Sequence, residues 1–226
     1  MGENLVEIDG MKRYYEMVSG TVKALDGVDL EVKGGERIIL LGPSGSGKTT
    51  LLNCIAALDS PTAGTYSFEG KEVPRNAPEE MTTFRRENIG YVFQFFNLLQ
   101  DLTVLENLLL IQELAGGRDE KRARELLALV GLEDEVDRFP TEISGGQQQR
   151  VAIARSLAKK PKLLLGDELT GNLDTKTSSM VMEVLVKACE AEGITTVFVT
   201  HDESLIKFAT RVIRLDSGIV ISDQDA

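Results

Sequence analysis

The chain has 226 residues, of which 36 are Asp or Glu and 25 are Lys or Arg, so its formal net charge at pH 7 is −11. Hydrophobic residues make up 42% and charged residues 27% of the sequence, which is typical of a globular protein and not of a disordered chain. The acidic balance argues against a protein that holds nucleic acid or anionic lipid through bulk positive charge. We therefore expect no nucleic-acid partner.

The two cysteines, Cys54 and Cys189, lie far apart and form no C-x-x-C pair. This spacing indicates neither a disulfide framework nor a structural zinc site, and reducing cytosol is the expected compartment. The sequence contains no run of about 18 consecutive apolar residues. We expect no direct membrane insertion, so work at a membrane would require another chain.

Short segments of alternating hydrophobicity begin the chain. Residues 5–8 and 28–32 predict antiparallel strands with one face in solvent. Residues 37–41 are almost continuously apolar, which is typical of a strand buried on both faces of a parallel sheet. A glycine-rich turn follows, and residues 48–58 then show the apolar spacing of an amphipathic helix.

A different pattern occupies the middle of the chain. Residues 104–115, 120–130 and 147–159 have helical periodicity. Buried strands are predicted at 162–165 and 195–199, and the last apolar segments predict a closing hairpin. We therefore predict a single α/β domain into which a helical lobe is inserted. The predicted parts are a core at 1–93 and 162–226 and a lobe at 94–161, within one domain at 1–226.

The glycine-rich turn matches the pattern G-x-x-x-x-G-K-[ST] in full. Glycines let backbone N–H groups converge on phosphate oxygens, and the N-terminus of the following helix adds its dipole. Lys48 would reach the β- and γ-phosphates, and Thr49 would ligate Mg²⁺. A flexible Gly-Ser loop is the alternative, but the strand before and the helix after favour a nucleotide site. The predicted phosphate-binding residues are Gly42, Pro43, Ser44, Gly45, Ser46, Gly47, Lys48, Thr49 and Thr50.

Two acidic residues follow the strand predicted at 162–165. Asp167 and Glu168 stand at its carboxyl end, where open parallel sheets bind their ligands. Asp167 would hold Mg²⁺, and Glu168 would act as the general base toward the attacking water. An acidic pair alone is more often a solvated turn, but the phosphate motif upstream favours a metal site.

A second candidate anion site begins at Ser144, directly before a predicted helix. Ser144 can cap that helix and leave Gly145 and Gly146 without side chains at its positive end. Taken alone, such a segment is more often a plain N-cap followed by a flexible glycine pair. Because one ATP needs only one cradle, the second indicates a nucleotide that is bound by another copy.

Together these motifs resemble the ATP-binding cassette (ABC) ATPases over nearly the whole chain. The run from Ser144 through Gly145 and Gly146 to Gln147 matches that family's signature. Gln94 matches the glutamine loop and His201, the only histidine, matches the switch histidine. A lone histidine after an apolar strand is more often structural, but its position suits a γ-phosphate contact. The run that matches the D-loop is Asn172, Leu173 and Asp174.

The resemblance implies a P-loop NTPase core with a mostly parallel sheet, an N-terminal antiparallel β subdomain and an inserted α-helical subdomain. It implies an ATPase in which a second copy pairs head to tail with the first around two ATP and Mg²⁺. The residues that it assigns are Lys48, Gln94, Glu168 and His201 to catalysis, Thr49, Gln94 and Asp167 to the metal, and Asp174 to the nucleotide. An aromatic residue near the N-terminus should carry adenine, and Tyr14 is preferred, with Tyr15 a close alternative.

Longer runs around residues 42–53, 89–99 and 170–174 most resemble the lipoprotein-release, macrolide-export and cell-division ATPase group. Members dock on an integral-membrane permease, which implies a cytoplasmic protein on the inner face of the cell membrane. A soluble ABC ATPase that acts on DNA or ribosomes is the alternative, as is a small-molecule P-loop kinase. The first would need features such as a coiled-coil insertion or a basic tract, and the second would not need the signature.

Three residues depart from the usual family pattern. Ile143 stands where the signature usually has Leu, Gly166 stands before Asp167 where Ala is usual, and Leu169 follows Glu168 where Pro is usual. The first is a volume-conserving change. Leu169 restores a backbone N–H and frees the backbone beside the carboxylate of Glu168, so we expect any effect on catalysis to arise there.

Overall fold

The computed structural model describes residues 3–18, 20–171 and 173–226. They form two compact units, the first made of Met1–Arg85 and Thr195–Ala226 and the second of Arg86–Ile194. Within the described ranges, no helix has the length and apolar character that crossing a membrane requires. In chain order the strands are β1 (Asn4–Met17), β2 (Gly20–Lys33), β3 (Arg37–Leu41), β4 (Ala63–Phe68), β5 (Lys71–Glu72), β6 (Ile89–Val92), β7 (Leu163–Asp167), β8 (Thr195–Val199), β9 (Arg211–Asp216) and β10 (Ile219–Asp225). The α-helices are α1 (Lys48–Ile55), α2 (Pro78–Asn88), α3 (Val104–Leu114), α4 (Glu120–Leu129), α5 (Gly145–Leu157) and α6 (Thr175–Glu192).

The first unit contains an antiparallel sheet with the strand order β2-β1-β4-β5. The long strands β1 and β2 pair over most of their length, with Ile8 opposite Leu30. Val6 and Ile8 are buried while Glu7 and Asp9 are exposed, which is the alternation expected of a sheet with one wet face. A register shift between Ile8 and Met11 interrupts this alternation, and Met11 is buried again. The two strands extend well beyond the segments that the sequence predicted.

The remaining strands of the first unit pair in parallel around β3 and in antiparallel fashion in a hairpin at the end of the chain. The central strand β3 pairs in parallel with β8 on one side and with β9 on the other. Its four apolar residues are at most 2% exposed, as expected for a strand covered on both faces. β9 and β10 form the predicted hairpin, with Ile219 opposite Asp216.

The second unit contains one parallel strand pair and most of the helices. β6 pairs with β7, and Gly90 lies opposite Leu164. A Cβ on Gly90 would stand 2.8 Å from a Leu164 methyl and 2.9 Å from the Ser156 carbonyl oxygen, so this strand must lack a side chain there. The unit includes the helices of the predicted lobe together with β6, β7 and α6, and the lobe boundaries stay a prediction.

Side-chain caps begin the helices of the second unit. Thr103 caps α3 in a capping box with Glu106, and Asp119 caps α4. These local signals explain why both helices start where the periodicity predicts. α2 and α6 were not predicted from the sequence. α2 buries only Met81, so its apolar face is too narrow to produce a clear helical pattern.

Candidate active site

The predicted phosphate loop encloses the ammonium group of Lys48. The Lys48 Nζ donates to the carbonyl oxygens of Gly42 (2.8 Å) and Pro43 (2.7 Å). The residue is 7% exposed although it carries a charge. The carbonyl groups therefore hold the one cation of the loop at its centre, where the sequence predicts the phosphates to bind.

Two glycines of this loop are required by close backbone contacts. Gly47 has φ 103°, and a Cβ there would lie 2.3 Å from the Ala24 carbonyl oxygen. A Cβ on Gly42 would lie 2.1 Å from the Leu215 carbonyl oxygen. Any other residue would push the loop away from these strands. Phosphate access alone, the reason found in the sequence, does not explain these contacts.

His201 lies at the same edge of the sheet as the phosphate loop. β3 and β8 are parallel, with Leu40 opposite Val199, and the Thr200 N–H donates to the Leu40 carbonyl oxygen at 3.3 Å. Gly42 and His201 each follow this pair by two residues. The carboxyl ends of the two strands therefore bring the histidine and the loop together, although they are far apart in sequence.

Tyr14 and Tyr15, the two candidates for the adenine platform, differ in their contacts. The Tyr14 hydroxyl donates to the Asp26 carboxylate. The Tyr15 hydroxyl donates to Asp59 at 2.7 Å and also interacts with Thr50, the last residue of the phosphate motif. Burial, together with the Asp59 hydrogen bond, raises the pKa of Tyr15. Neighbouring residues of a strand face opposite ways, so Tyr15 is the one on the side of the phosphate loop.

The carboxyl ends of β6 and β7 bring three predicted residues together in the second unit. Val92 lies opposite Gly166, so Gln94 and the pair Asp167 and Glu168 leave the strands side by side. A Cβ placed on Gly171 would be 3.5 Å from the Glu168 Oε2 and 3.6 Å from the Gln94 Nε2. Both side chains therefore reach the same small space.

Tyr91, on β6, lies close to the acidic pair. Burial first, and the negative charge of Asp167 second, raise the pKa of Tyr91. The phenol therefore stays protonated at neutral pH beside the carboxylate.

Carboxylate and amide oxygens are hard donors of the kind that Mg²⁺ binds, so Asp167 and Gln94 fit the predicted metal. Thr49, in the first turn of α1, supplies a hydroxyl of the same donor class.

The signature segment begins α5 with a complete capping box. The Ser144 Oγ accepts from the Gln147 N–H at 3.3 Å, and the Gln147 side chain accepts from the Ser144 N–H at 2.9 Å. Gly145 and Gly146 between them leave the helix terminus without side chains. A Cβ on Gly146 would lie 2.9 Å from the Thr177 methyl, so this glycine also permits close packing against α6.

Arg155, which the sequence did not single out, joins the glutamine loop to the signature helix. From α5 its guanidinium donates to the carbonyl oxygens of Asn97 (2.6 Å) and Phe96 (3.0 Å). Burial lowers the pKa of this arginine. These bonds span 58 and 59 residues of sequence and depend on the packing of α5, so no local pattern could have revealed them.

Asp174 caps α6. Its carboxylate accepts from the Lys176 and Thr177 N–H groups, both at 3.1 Å, and from the Thr177 hydroxyl at 2.5 Å. The Thr177 hydrogen bonds lower the pKa of Asp174. Its predicted contact with the nucleotide stays a prediction, and Asn172 of the same run lies outside the described residues.

A model of the ABC transporter family matches residues 25–171. The chain belongs to the ABC transporter family. This match spans the phosphate loop, the glutamine loop, the signature and the acidic pair.

Relatives and solved structures support the same assignment. The lipoprotein-releasing system ATP-binding protein LolD of Geobacter metallireducens is 44% identical, and the alignment covers 97% of this chain and 99% of LolD. The macrolide export ATP-binding/permease protein MacB of Syntrophobacter fumaroxidans is 41% identical over 99% of this chain, which spans only 32% of MacB. A dimeric, post-hydrolysis structure of the ATP-binding cassette MJ0796, bound to ADP and Pi, has a TM-score of 0.88 at 40% identity and covers 97% of this chain and 98% of that one.

These likenesses confirm two predictions made from the sequence. The fold is that of the ABC cassettes, with an N-terminal antiparallel sheet, mainly parallel pairing elsewhere and a helical part. The chain is an ABC ATPase, of the type found in LolD and MacB.

We predict that Lys48→Ala weakens ATP binding because the variant loses the one cation inside the phosphate loop. Loss of charge-assisted contacts of this kind corresponds to about 10- to 100-fold in Kd. Titration with a fluorescent ATP analogue measures it, and Lys71→Ala, at an exposed position of β5, is the matched control. An unchanged Kd for Lys48→Ala would contradict the assignment of the loop.

Proposed function

We propose that this ABC ATPase works as a head-to-tail pair of cassettes that closes on two ATP molecules and opens after hydrolysis. The supporting observation is the presence of two different anion-binding features on one chain. One is the loop around Lys48, and the other is the capped N-terminus of α5 with Gly145 and Gly146 bare. The relative MJ0796 is dimeric in its solved structures, which supports the same arrangement here.

In this proposal Glu168 takes a proton from the water that attacks the γ-phosphate. Gln94, which reaches the same space, helps to position that water, and His201 contacts the γ-phosphate from the edge of β8. Lys48 and the N-terminal N–H groups of α5 in the other copy balance the negative charge that develops on the transferred phosphoryl group. Each of these side chains thus has one role in the proposed reaction, and its chemistry sets that role.

Mg²⁺ would be held by oxygen atoms of Thr49, Gln94 and Asp167. When bound there, the ion would neutralise charge on the β- and γ-phosphates. The three side chains offer the hydroxyl, amide and carboxylate oxygens that this ion prefers, and none offers sulfur or an imidazole nitrogen.

Tyr15 is better suited than Tyr14 to carry the adenine ring. Tyr15 lies on the phosphate-loop side of β1, beside Thr50, and the Arg13 guanidinium, 4.4 Å from its ring centroid, helps to hold the ring in place. Asp26 holds the hydroxyl of Tyr14. Stacking on an aromatic face fixes a base without selecting it strongly.

An exposed apolar surface next to Gln94 supports docking on an integral-membrane permease. Phe93, Phe95 and Leu99, here called the glutamine-loop patch, are 38%, 69% and 47% exposed. Exposed apolar clusters of this kind mark interaction sites. Arg155 bonds the backbone of the glutamine loop to α5. A displacement of the patch would therefore be transmitted to the signature segment, which begins α5.

A partner of this kind would keep the protein on the cytoplasmic face of the cell membrane. The LolD and MacB relatives favour a permease of the lipoprotein-release or macrolide-export type. The transported substrate would then be chosen by the permease, because the residues shared with these relatives surround the nucleotide.

We predict that Glu168→Gln abolishes turnover and traps an ATP-bound dimer, because the amide keeps the shape of the side chain and cannot accept the proton. Phosphate release measures turnover, and gel filtration with ATP and without Mg²⁺ measures the dimer. Glu133→Gln, at an exposed position, is the control. A variant that stays monomeric with ATP would count against the paired cassettes.

For the adenine platform, Tyr15→Ala should weaken ATP binding by about 5- to 100-fold, the range that corresponds to one lost base–aromatic stack. Tyr15→Phe keeps the ring and should retain most of the affinity, and Tyr14→Ala is the matched control. Equilibrium titration with a fluorescent ATP analogue compares them. A larger loss for Tyr14→Ala would reverse the assignment.

For the permease, Phe95→Ser should reduce the fraction of the chain that sediments with cell membranes and should leave ATP affinity unchanged. The physical reason is the loss of the most exposed apolar side chain of the patch. Phe139→Ser, at another exposed phenylalanine, is the matched control. Equal sedimentation of the Phe95 variant and the original chain would refute the patch as a docking surface.

A further inference from the structure

Glu168 has an unusual backbone conformation. Its φ is 47°, in the left-handed region that residues other than glycine rarely adopt. Such a conformation costs free energy and persists only where the surrounding structure holds it. The contacts of the neighbouring residues therefore determine where the Glu168 carboxylate lies.

Two of the three residues that depart from the usual family pattern, Gly166 and Leu169, pack against each other beside Glu168. A Cβ on Gly166 would lie 2.8 Å from Cγ, Cδ1 and Cδ2 of Leu169, which is closer than real Cβ atoms approach. Leu169 is 5% exposed. Its side chain therefore occupies the space that the missing side chain at position 166 leaves open.

Leu169 also lies inside a turn that begins at Glu168. The Gly171 N–H donates to the Glu168 carbonyl oxygen at 3.0 Å, and the Leu173 N–H donates to the Thr170 carbonyl oxygen at 3.0 Å. The backbone of Glu168 is thus held by the packing of Leu169 against Gly166 and by the hydrogen-bonded turn that Glu168 begins. With the backbone held in this way, the carboxylate can be directed toward the space that it shares with Gln94.

We propose that Gly166 and Leu169 act as one positioning pair that holds Glu168 in its left-handed conformation. Proline, usual after this glutamate, disfavours helical backbone conformations in the residue before it. With leucine at position 169 that restriction on Glu168 is absent. The contact of the Leu169 side chain with Gly166 constrains the backbone of Glu168 instead. The inference rests on the role of Glu168 proposed above, and neither residue of the pair touches the reacting atoms.

Two single substitutions should disturb the pair in opposite ways. Gly166→Ala forces the Leu169 side chain out of its space, and Leu169→Ala empties that space. Each should lower kcat by about 10- to 100-fold, because a displacement of about 1 Å at a reacting group has an effect of this size. The KM for ATP should change little, because the phosphates are assigned to the loop at 42–50.

The double variant Gly166→Ala/Leu169→Ala tests the coupling. The alanine at 166 no longer meets a leucine, so kcat should be no lower than in Leu169→Ala alone. Independent effects would instead multiply the two losses. Leu163→Ala, at a fully buried leucine on the same strand, is the matched control, and it should lower stability without lowering kcat per folded site.

Steady-state ATPase kinetics on the full chain, with folded sites counted by ATP binding and thermal unfolding followed in parallel, test the proposal. A fall in kcat at constant KM in both single variants, without multiplication in the double variant, supports it. Multiplied losses, or equal effects of Leu169→Ala and Leu163→Ala on kcat, overturn it. Glu168→Gln in the same assay separates the two levels: if that variant retains turnover, the role of Glu168 itself is wrong; if it is inactive while Gly166→Ala is fully active, only the positioning pair is wrong.

Discussion

Parallel strand pairing sets the positions of the predicted site residues within each of the two units. In the first unit, the pairing of β3 with β8 puts the residues after Leu40 and Val199 at one edge, which brings the phosphate loop beside His201. In the second unit, the pairing of β6 with β7 does the same for Gln94 and the acidic pair. Parallel strands point the same way, so within each unit the loops at their carboxyl ends lie at one edge. In each unit this constraint brings together predicted site residues that are far apart in the sequence.

Close approach between backbones is the second constraint, and it explains glycines that phosphate chemistry alone does not. Gly47 lies against the Ala24 carbonyl group, Gly146 against Thr177, and Gly166 against Leu169. In each case a Cβ would overlap a neighbouring atom. These glycines let a loop or helix terminus pack tightly, which keeps the functional groups beside them in place. These glycines therefore mark tightly packed positions and not flexible ones.

The net charge of −11 has a consequence for how the chain holds an anionic ligand. A surplus of acidic groups cannot attract phosphate over a long range, so the attraction must be local. In the proposed site, Lys48 inside its loop and the N-terminal N–H groups of α1 and α5 would provide it. Oriented dipoles and one enclosed ammonium group would allow phosphate to bind without a basic surface, and the sequence contains no basic tract.

Features that depend on a few consecutive residues could be predicted from the sequence. The phosphate motif, the buried strand β3, the Ser144 cap of α5 and the closing hairpin all belong to this class. The periodicity of α3 and α4 was equally clear, because each presents an apolar face and begins at a polar cap. The sequence did not predict α6, because its β-branched and small polar residues have a weak helical preference, although Asp174 caps it.

Tertiary structure decided what depends on residues far apart in the chain. The sequence favoured Tyr14 over Tyr15 for the adenine platform, but the folded chain places Tyr15 beside Thr50, because strand pairing sets which face of β1 lies on that side. The sequence could not show that Arg155 holds the glutamine loop, because packing of α5 brings the two together. Family motifs and local signals thus determined an ABC ATPase and most of its candidate residues. The contact between Gly166 and Leu169, and the backbone conformation of Glu168, became visible only in the folded chain, because both depend on steric contacts that no sequence period encodes.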